Sequence, residues 1–310
     1  MSASAAATEA ERSPDRLALG AFVGAVVVGG SNFVAVRFSN RELDPLWGAF
    51  LRFALAAAVF GILCAALRLP LPRGRVLGLV VIYGLLAFAV TYGCLYWALQ
   101  EVPAGIGAVV MAVGPLLVLL LAVAHGMERF SLRALVGALV ALVGSVVIFF
   151  QPSEIVFGWP SFVLLAIGAL AASESVVVSK RVGRQHPAAM NFVAMTAGAA
   201  ALLVASVVAG ERLALPVEGE TQLALLYLVF ATVALFLFVL VVVQRWTASS
   251  TAYVFVLMPI VAVVVGSLVA DEPITLTTVL GGAIVGAGVY LGASRETHSL
   301  LAHLCAMLAQ

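Results

Sequence analysis

What this 310-residue chain has least of is charge: Asp, Glu, Lys and Arg make up 10% of it, against 64% hydrophobic residues, and the mean hydropathy is +1.17. A soluble domain needs a polar coat that this composition cannot supply, so an integral membrane protein is left. Cysteine is nearly absent. Cys64, Cys94 and Cys305 stand singly, without CxxC or HxxxH spacing, which excludes a disulfide framework and gives no metal site. The four histidines, His125, His186, His298 and His303, fall in connections or in the tail, and none is placed as a ligand. Basic clusters interleaved with aromatics are missing and the net charge is +1, so nucleic acid is not an expected partner. No Walker-type phosphate loop occurs; ATP is not the direct driver, and no cofactor is expected. The expected partners are a small-molecule substrate and the lipid bilayer, with the oligomeric state left open between monomer and higher forms.

The opening "MSASAAATEAERSPDR" is small and polar, with no apolar core and no cleavage signal. Residues 1–16 therefore read as a disordered cytoplasmic leader rather than a secretory signal. Beyond it, charges, prolines and turn residues divide the chain into ten apolar runs of about 20 residues, the length that crosses a bilayer. They cover 17–38, 46–68, 76–97, 102–123, 132–150, 159–181, 187–209, 222–243, 247–269 and 274–292. Connections are short, no soluble domain fits between them, and residues 293–310 form a tail too short to span, suited to the inner interface or to disorder. With the N-terminus inside, the inner segments carry twelve Lys and Arg and the outer loops three, Arg37, Arg41 and Arg212. That asymmetry places both termini in the cytoplasm and the chain in the cell (inner) membrane as a multi-pass protein.

The chain repeats itself at an offset of 144 residues. Gln100 pairs with Gln244, Ala104 with Ala248, Pro115 with Pro259, Glu128 with Glu272, Leu132 with Leu276, Gly137 with Gly281 and Gly144 with Gly288. Tyr83 pairs with Tyr227 at the same offset, and Pro45 with Pro187 at 142. The weight lies with Gln, Pro and Glu, which are scarce here. Two units result, 17–150 and 151–292, each with five spans. Five is odd, so the second unit enters the membrane inverted relative to the first. The expected fold is an all-α integral membrane protein: ten transmembrane helices in two inverted five-helix repeats around a central cavity, an arrangement characteristic of secondary transporters.

With "GGSNFVAVR" in span 1, "WGAFLRFALAA" in span 2 and the duplicated "GPLLVLLLAVAHGMERFSLRALVGALVALVG" unit, the sequence resembles the drug/metabolite transporter superfamily, in particular its ten-helix EamA-type branch. The resemblance runs over roughly 17–292 and is specific for the superfamily rather than for a substrate. It implies a cavity lined by spans 1, 3, 4, 6, 8 and 9, with 5 and 10 in support. The branch's usual acidic element after spans 4 and 9 corresponds to Glu128–Ser131 and Glu272–Thr275. Span 6 departs from the pattern of span 1: "ASES" replaces "GGSN" and brings Glu174 into the membrane.

Several residues carry two readings. Pro115 and Pro259 each remove an amide donor and strand the carbonyl four residues earlier, at Met111 and Phe255, so each bend should face protein or water. Either it shapes the cavity and frees an acceptor, or a neighbouring helix satisfies it. Glu174 is the one acid well inside a span. An ionisable group there costs roughly 2.5–3.5 kcal/mol on insertion scales. It meets a cationic substrate group, cycles a coupling proton, or locks helix 6 to a neighbour. Arg52, about six residues into span 2, is either a snorkelling anchor at the outer interface or a partner for a substrate carboxylate, Glu42 or Asp44. Ser31 and Asn32 meet substrate or glue helices. Tyr92, Tyr96 and Gln100 share one stripe beside Trp97, as an interfacial belt or a stacking wall. Tyr253 and Gln244 are weaker candidates of that type. Glu128 and Glu272 sit near the starts of helices 5 and 10, where Ser131 and Thr275 suit N-caps, and read as structural. Gly20/Gly24 and Gly282/Gly286 have the spacing of close helix contacts.

These features together point to export of small metabolites such as amino acids by alternating access. A sugar-phosphate or nucleotide-type exchanger is the rival and would want several cations facing the cavity, where the spans offer only Arg52. A membrane enzyme would want clustered His, Asp or Glu at membrane depth, where only Glu174 qualifies, so no enzymatic activity is expected. A sensor would want a soluble output module.

Overall fold

A computed structural model describes residues 16–98, 100–101, 110–149, 158–270 and 276–292. Residues 1–15 of the leader, the tail, the first part of the fourth run, Glu272 and Thr275 lie outside these residues. The described residues form ten helices: α1 (Arg16–Ser39), α2 (Pro45–Ala66), α3 (Gly74–Ala98), α4 (Gly114–Ala124), α5 (Leu132–Phe149), α6 (Trp159–Val182), α7 (Pro187–Ala209), α8 (Gly219–Arg245), α9 (Ala248–Ala270) and α10 (Leu276–Gly292). Each falls on a run expected from the sequence, and no strand occurs among the described residues. Five of them, α2, α3, α6, α7 and α8, are long and apolar enough to cross a membrane as they stand. Ile62, Val143, Val204, Leu223 and Phe230 stand out from the bundle's flank, a surface suited to lipid rather than water.

Local chemistry explains where the helices start and stop. Pro45, Pro115, Pro160 and Pro187 occupy the first turns of α2, α4, α6 and α7, where a missing N–H leaves no intrahelical bond unmade. Gly210, at φ 73° and ψ 25°, closes α7 in the left-handed conformation that a side chain would resist. The place of Pro115 corrects the expectation of a mid-helix kink. The chain turns at Ala112–Val113 and the helix restarts at Gly114, so the proline begins a helical segment instead of bending one. At the repeat partner Pro259, α9 runs through from Ala248 to Ala270.

The packing is symmetric under exchange of the halves. Helix α1 lies against α8 and α9, and α6 against α3 and α4; α2 meets α7, α4 meets α9 and α5 meets α10. Renumbering each helix by five maps this set onto itself. Glycine contacts set the sense. A Cβ on Gly144 would lie 2.5 Å from Val285 N and 2.8 Å from Gly281 O. On its repeat partner Gly288 it would press into the backbone of Ala141 and lie 2.7 Å from Gly137 O. Both contacts are the same contact shifted by 144 residues. Rising numbers on α5 meet falling numbers on α10, so these equivalent helices are antiparallel and the two five-helix repeats are inverted. The contact face of α10 is therefore Gly281/Gly288. Gly282 and Gly286, the pair that spacing favours, face open space, as does Gly20, while Gly24 lies against Phe238.

Candidate functional site

Two clusters of polar groups inside the bundle include a charged side chain from the middle of a helix. One centres on Arg52, and its position corrects the snorkelling reading. The side chain is 1% exposed and turned inward from α2. Its Nε donates to Thr232 Oγ1 of α8 at 2.6 Å and its Nη1 to the Tyr96 hydroxyl of α3 at 3.3 Å. The guanidinium also lies 5.3 Å from the ring centres of Phe53 and Tyr92, within cation–π range. Its Nη2 is buried with no hydrogen-bond partner. Glu42 and Asp44 are engaged elsewhere: Glu42 accepts from the N–H groups of Val217 and Glu218, and Asp44 from that of Arg212.

A feature of α3 that the sequence does not announce aims the tyrosines. Residues Leu85–Val90 form one π turn, and Thr91 Oγ1 donates back to Leu86 O at 2.7 Å. An inserted residue rotates the rest of the helix by about 100° relative to a regular one. Phe88 and Tyr92 then both meet the Phe53 ring, at 5.0 and 4.8 Å between centres, and Tyr96 is 1% exposed beside Arg52. Trp97, beside that stripe, is 43% exposed, and Gln100 is also exposed, so the buried part of the stripe ends at Tyr96.

The second cluster is the pair Glu174–His125. The Glu174 carboxylate on α6 holds His125 Nε2, at the end of α4, 2.8 Å from its Oε1, while its Oε2 is buried without a partner. The pair is about a quarter exposed. His125 had no place among the sequence candidates; it lies 49 residues from Glu174, and only the packing of α4 on α6 joins them. Arg181, seven residues beyond Glu174 on the same face of α6, lines with Arg75, Val76 and Leu79 a cleft of about 580 Å³ at the end of the bundle that bears α6's last turn.

The remaining candidates divide. Ser31 Oγ donates to Val28 O and lies 2.5 Å from the Tyr227 hydroxyl of α8. Asn32 is 6% exposed with both amide atoms unpartnered. Gly29 and Gly30 bring α1 onto α9 at Met258 and Val261. Met111 and Phe255 are half-buried. Tyr253 is buried with its hydroxyl against Gly292, a packing contact with α10, which removes it from the stacking-wall reading. Gln244 ties α8 to Gln185 O. Glu128 reaches α9 and not only its own α5: its carboxylate accepts from Ser249 N at 3.2 Å and from Ser249 Oγ at 2.5 Å. That caps a helix of the other half, while Ser131 accepts from Ala134 N at the start of α5.

Ten membrane helices in two inverted fives, holding an arginine and an acid–histidine pair inside, define a multi-pass membrane transport protein. The chain belongs to the EamA-like transporter family, whose model matches it twice, over residues 16–150 and 159–293. The inner membrane transporter YedA of Escherichia coli K12 is 30% identical over 264 residues, covering 83% of this chain and 84% of that one. A protein named a probable terminal-alkyne amino-acid exporter, from Streptantibioticus cattleyicolor, is 26% identical over 88% of this chain and 92% of its own. A probable amino-acid metabolite efflux pump of Escherichia coli K12 is 25% identical over 86% and 91%. A solved crystal structure shares the fold, with a TM-score of 0.74 over 88% of this chain and 95% of that one at 19% identity.

Proposed function

We propose that this protein is a secondary active exporter of small metabolites of the amino-acid kind, working by alternating access and coupled to protons through Glu174. The observation that carries the reading is the symmetric packing of α1 and α6. Each meets the equivalent pair of helices in the opposite half, so exchanging the conformations of the halves would turn a site from one face to the other without new contacts. The names of the Streptantibioticus and Escherichia relatives favour amino acids and their derivatives. The twelve-to-three distribution of cations favours cytoplasmic termini in the cell membrane. Glu174 and His125, about a quarter exposed and toward the end of α6 that bears Arg181, would take and release the coupling proton on that side.

The test compares metabolites released by cells with and without the overexpressed protein, then repeats the leading compound in proteoliposomes under an imposed pH gradient. Gradient-dependent movement of an amino acid or derivative is expected. A flat response across amino acids, amines and nucleosides would overturn the assignment.

A further inference from the structure

Arg52 has no carboxylate partner among the described residues, although it is 1% exposed. Of the sixteen Lys and Arg, it alone falls more than one turn inside a described helix. A buried cation without a counter-charge is costly, and a guanidinium used only to brace helices would be expected to satisfy its N–H groups on carbonyls or an acid. Here two edges are held by neutral oxygens, Thr232 Oγ1 and the Tyr96 hydroxyl, and the third edge is left over. The bonds fix the plane of the group, with Phe53 and Tyr92 near it, and leave both N–H groups of Nη2 and one of Nη1 unused. Those are the donors that a planar carboxylate accepts as a fork. Tyr96 and Thr232, having accepted from Arg52, still carry their own hydroxyl protons to offer the same anion.

We propose that Arg52, oriented by Thr232 and Tyr96, is the receptor for the substrate's carboxylate. It rests on the export reading for its occupant. One guanidinium and no second interior cation among the described residues suit a monoanion and not a phosphoryl dianion, which counts against the sugar-phosphate alternative. The site is separate from Glu174. Arg52 lies about 10 Å along α2 from its start, and Glu174 about 12 Å along α6 from its end, on opposite ends of the bundle, so anion binding and proton exchange fall to different residues.

The test uses the purified full-length protein in lipid nanodiscs, with L-leucine, L-threonine and L-phenylalanine each set against its primary amide. Ligand-induced thermal shift gives apparent affinities. The wild type should prefer acid over amide by roughly 10- to 100-fold, the range for a hydrogen-bonded charge. Arg52→Gln should erase that preference and Arg52→Lys should keep part of it. Tyr96→Phe and Thr232→Val leave the cation in place; each should weaken acid binding severalfold and leave amide binding unchanged, which keeps the proposal testable if Arg52→Gln fails to fold. A wild type without acid preference, including one that binds none of the panel, or an Arg52→Gln protein that retains the preference, overturns the proposal. If efflux and proteoliposome assays still move amines or amides, the transport reading stands and only the Arg52 assignment falls.

Discussion

Replacing Gly144 by leucine tests the inverted architecture directly. The new Cβ would lie 2.5 Å from Val285 N and 2.8 Å from Gly281 O, both backbone atoms of α10 that no rotamer change can move. Ordinary contact begins near 3.4 Å, so α5 and α10 must part by about 1 Å along a seam held mainly by van der Waals packing, with the Arg133 Nε–Leu291 O hydrogen bond at one end. Overpacking of this kind costs about 1–3 kcal/mol. At about 2–4 °C per kcal/mol, the melting temperature in detergent should fall by roughly 2–12 °C. Gly288→Leu should do the same, because Gly288 makes the equivalent contact on Ala141 and Gly137 from the other half. Gly286→Leu is the control. Nothing lies within 4 Å of its added Cβ, and losing a helical glycine gains up to about 1 kcal/mol, so its melting should hold or rise. Equal damage from Gly286→Leu and Gly288→Leu, or none from Gly144→Leu, would refute the antiparallel pairing.

Glu174→Gln keeps shape and loses the exchangeable proton; gradient-driven accumulation in proteoliposomes should disappear while substrate exchange without a gradient persists, and accumulation that survives would rule Glu174 out of coupling. Glu128→Ala removes the cap on α9, at a cost of about 0.5–2 kcal/mol seen as lower thermal stability, against no change if Ser249 finds another acceptor. Glu42 is held below its ordinary 4.5 chiefly by the N–H of Val217. Its folded form favours the charged state, so its stabilisation is present above pH 4.5 and is lost as pH falls through the lowered value. The melting difference between wild type and Glu42→Gln should therefore be positive near pH 6–7 and close under acid; a constant difference would contradict the tie to Val217.

The ten helices were legible because bilayer thickness imposes one length on every span, and ten apolar runs of that length would not stay dissolved in water. The inversion was legible from parity alone. Contact faces were less so. Glycine spacing pointed to Gly282/Gly286, where the structure uses Gly281/Gly288, since spacing states that a face exists but not which neighbour it meets. The proline at 115 read as a bend because it removes an amide donor; that the helix breaks at Ala112–Val113 and restarts at Gly114, while α9 runs through the equivalent Pro259, the sequence did not distinguish.

Arg52 shows where sequence stops. Depth along a helix allowed both an outward and an inward side chain, and the choice fell to Thr232 of α8 and Tyr96 of α3, 180 and 44 residues away. His125 reached Glu174 in the same manner, through the meeting of α4 and α6. The sequence by itself determined the solvent, the number of crossings, their duplication and the presence of an acid and a cation within the spans, because transfer into lipid depends on each segment's own composition. Tertiary structure alone decided which polar groups face one another and which donors remain unused, because those depend on helix rotation and on the π turn in α3, both set by packing between segments distant along the chain.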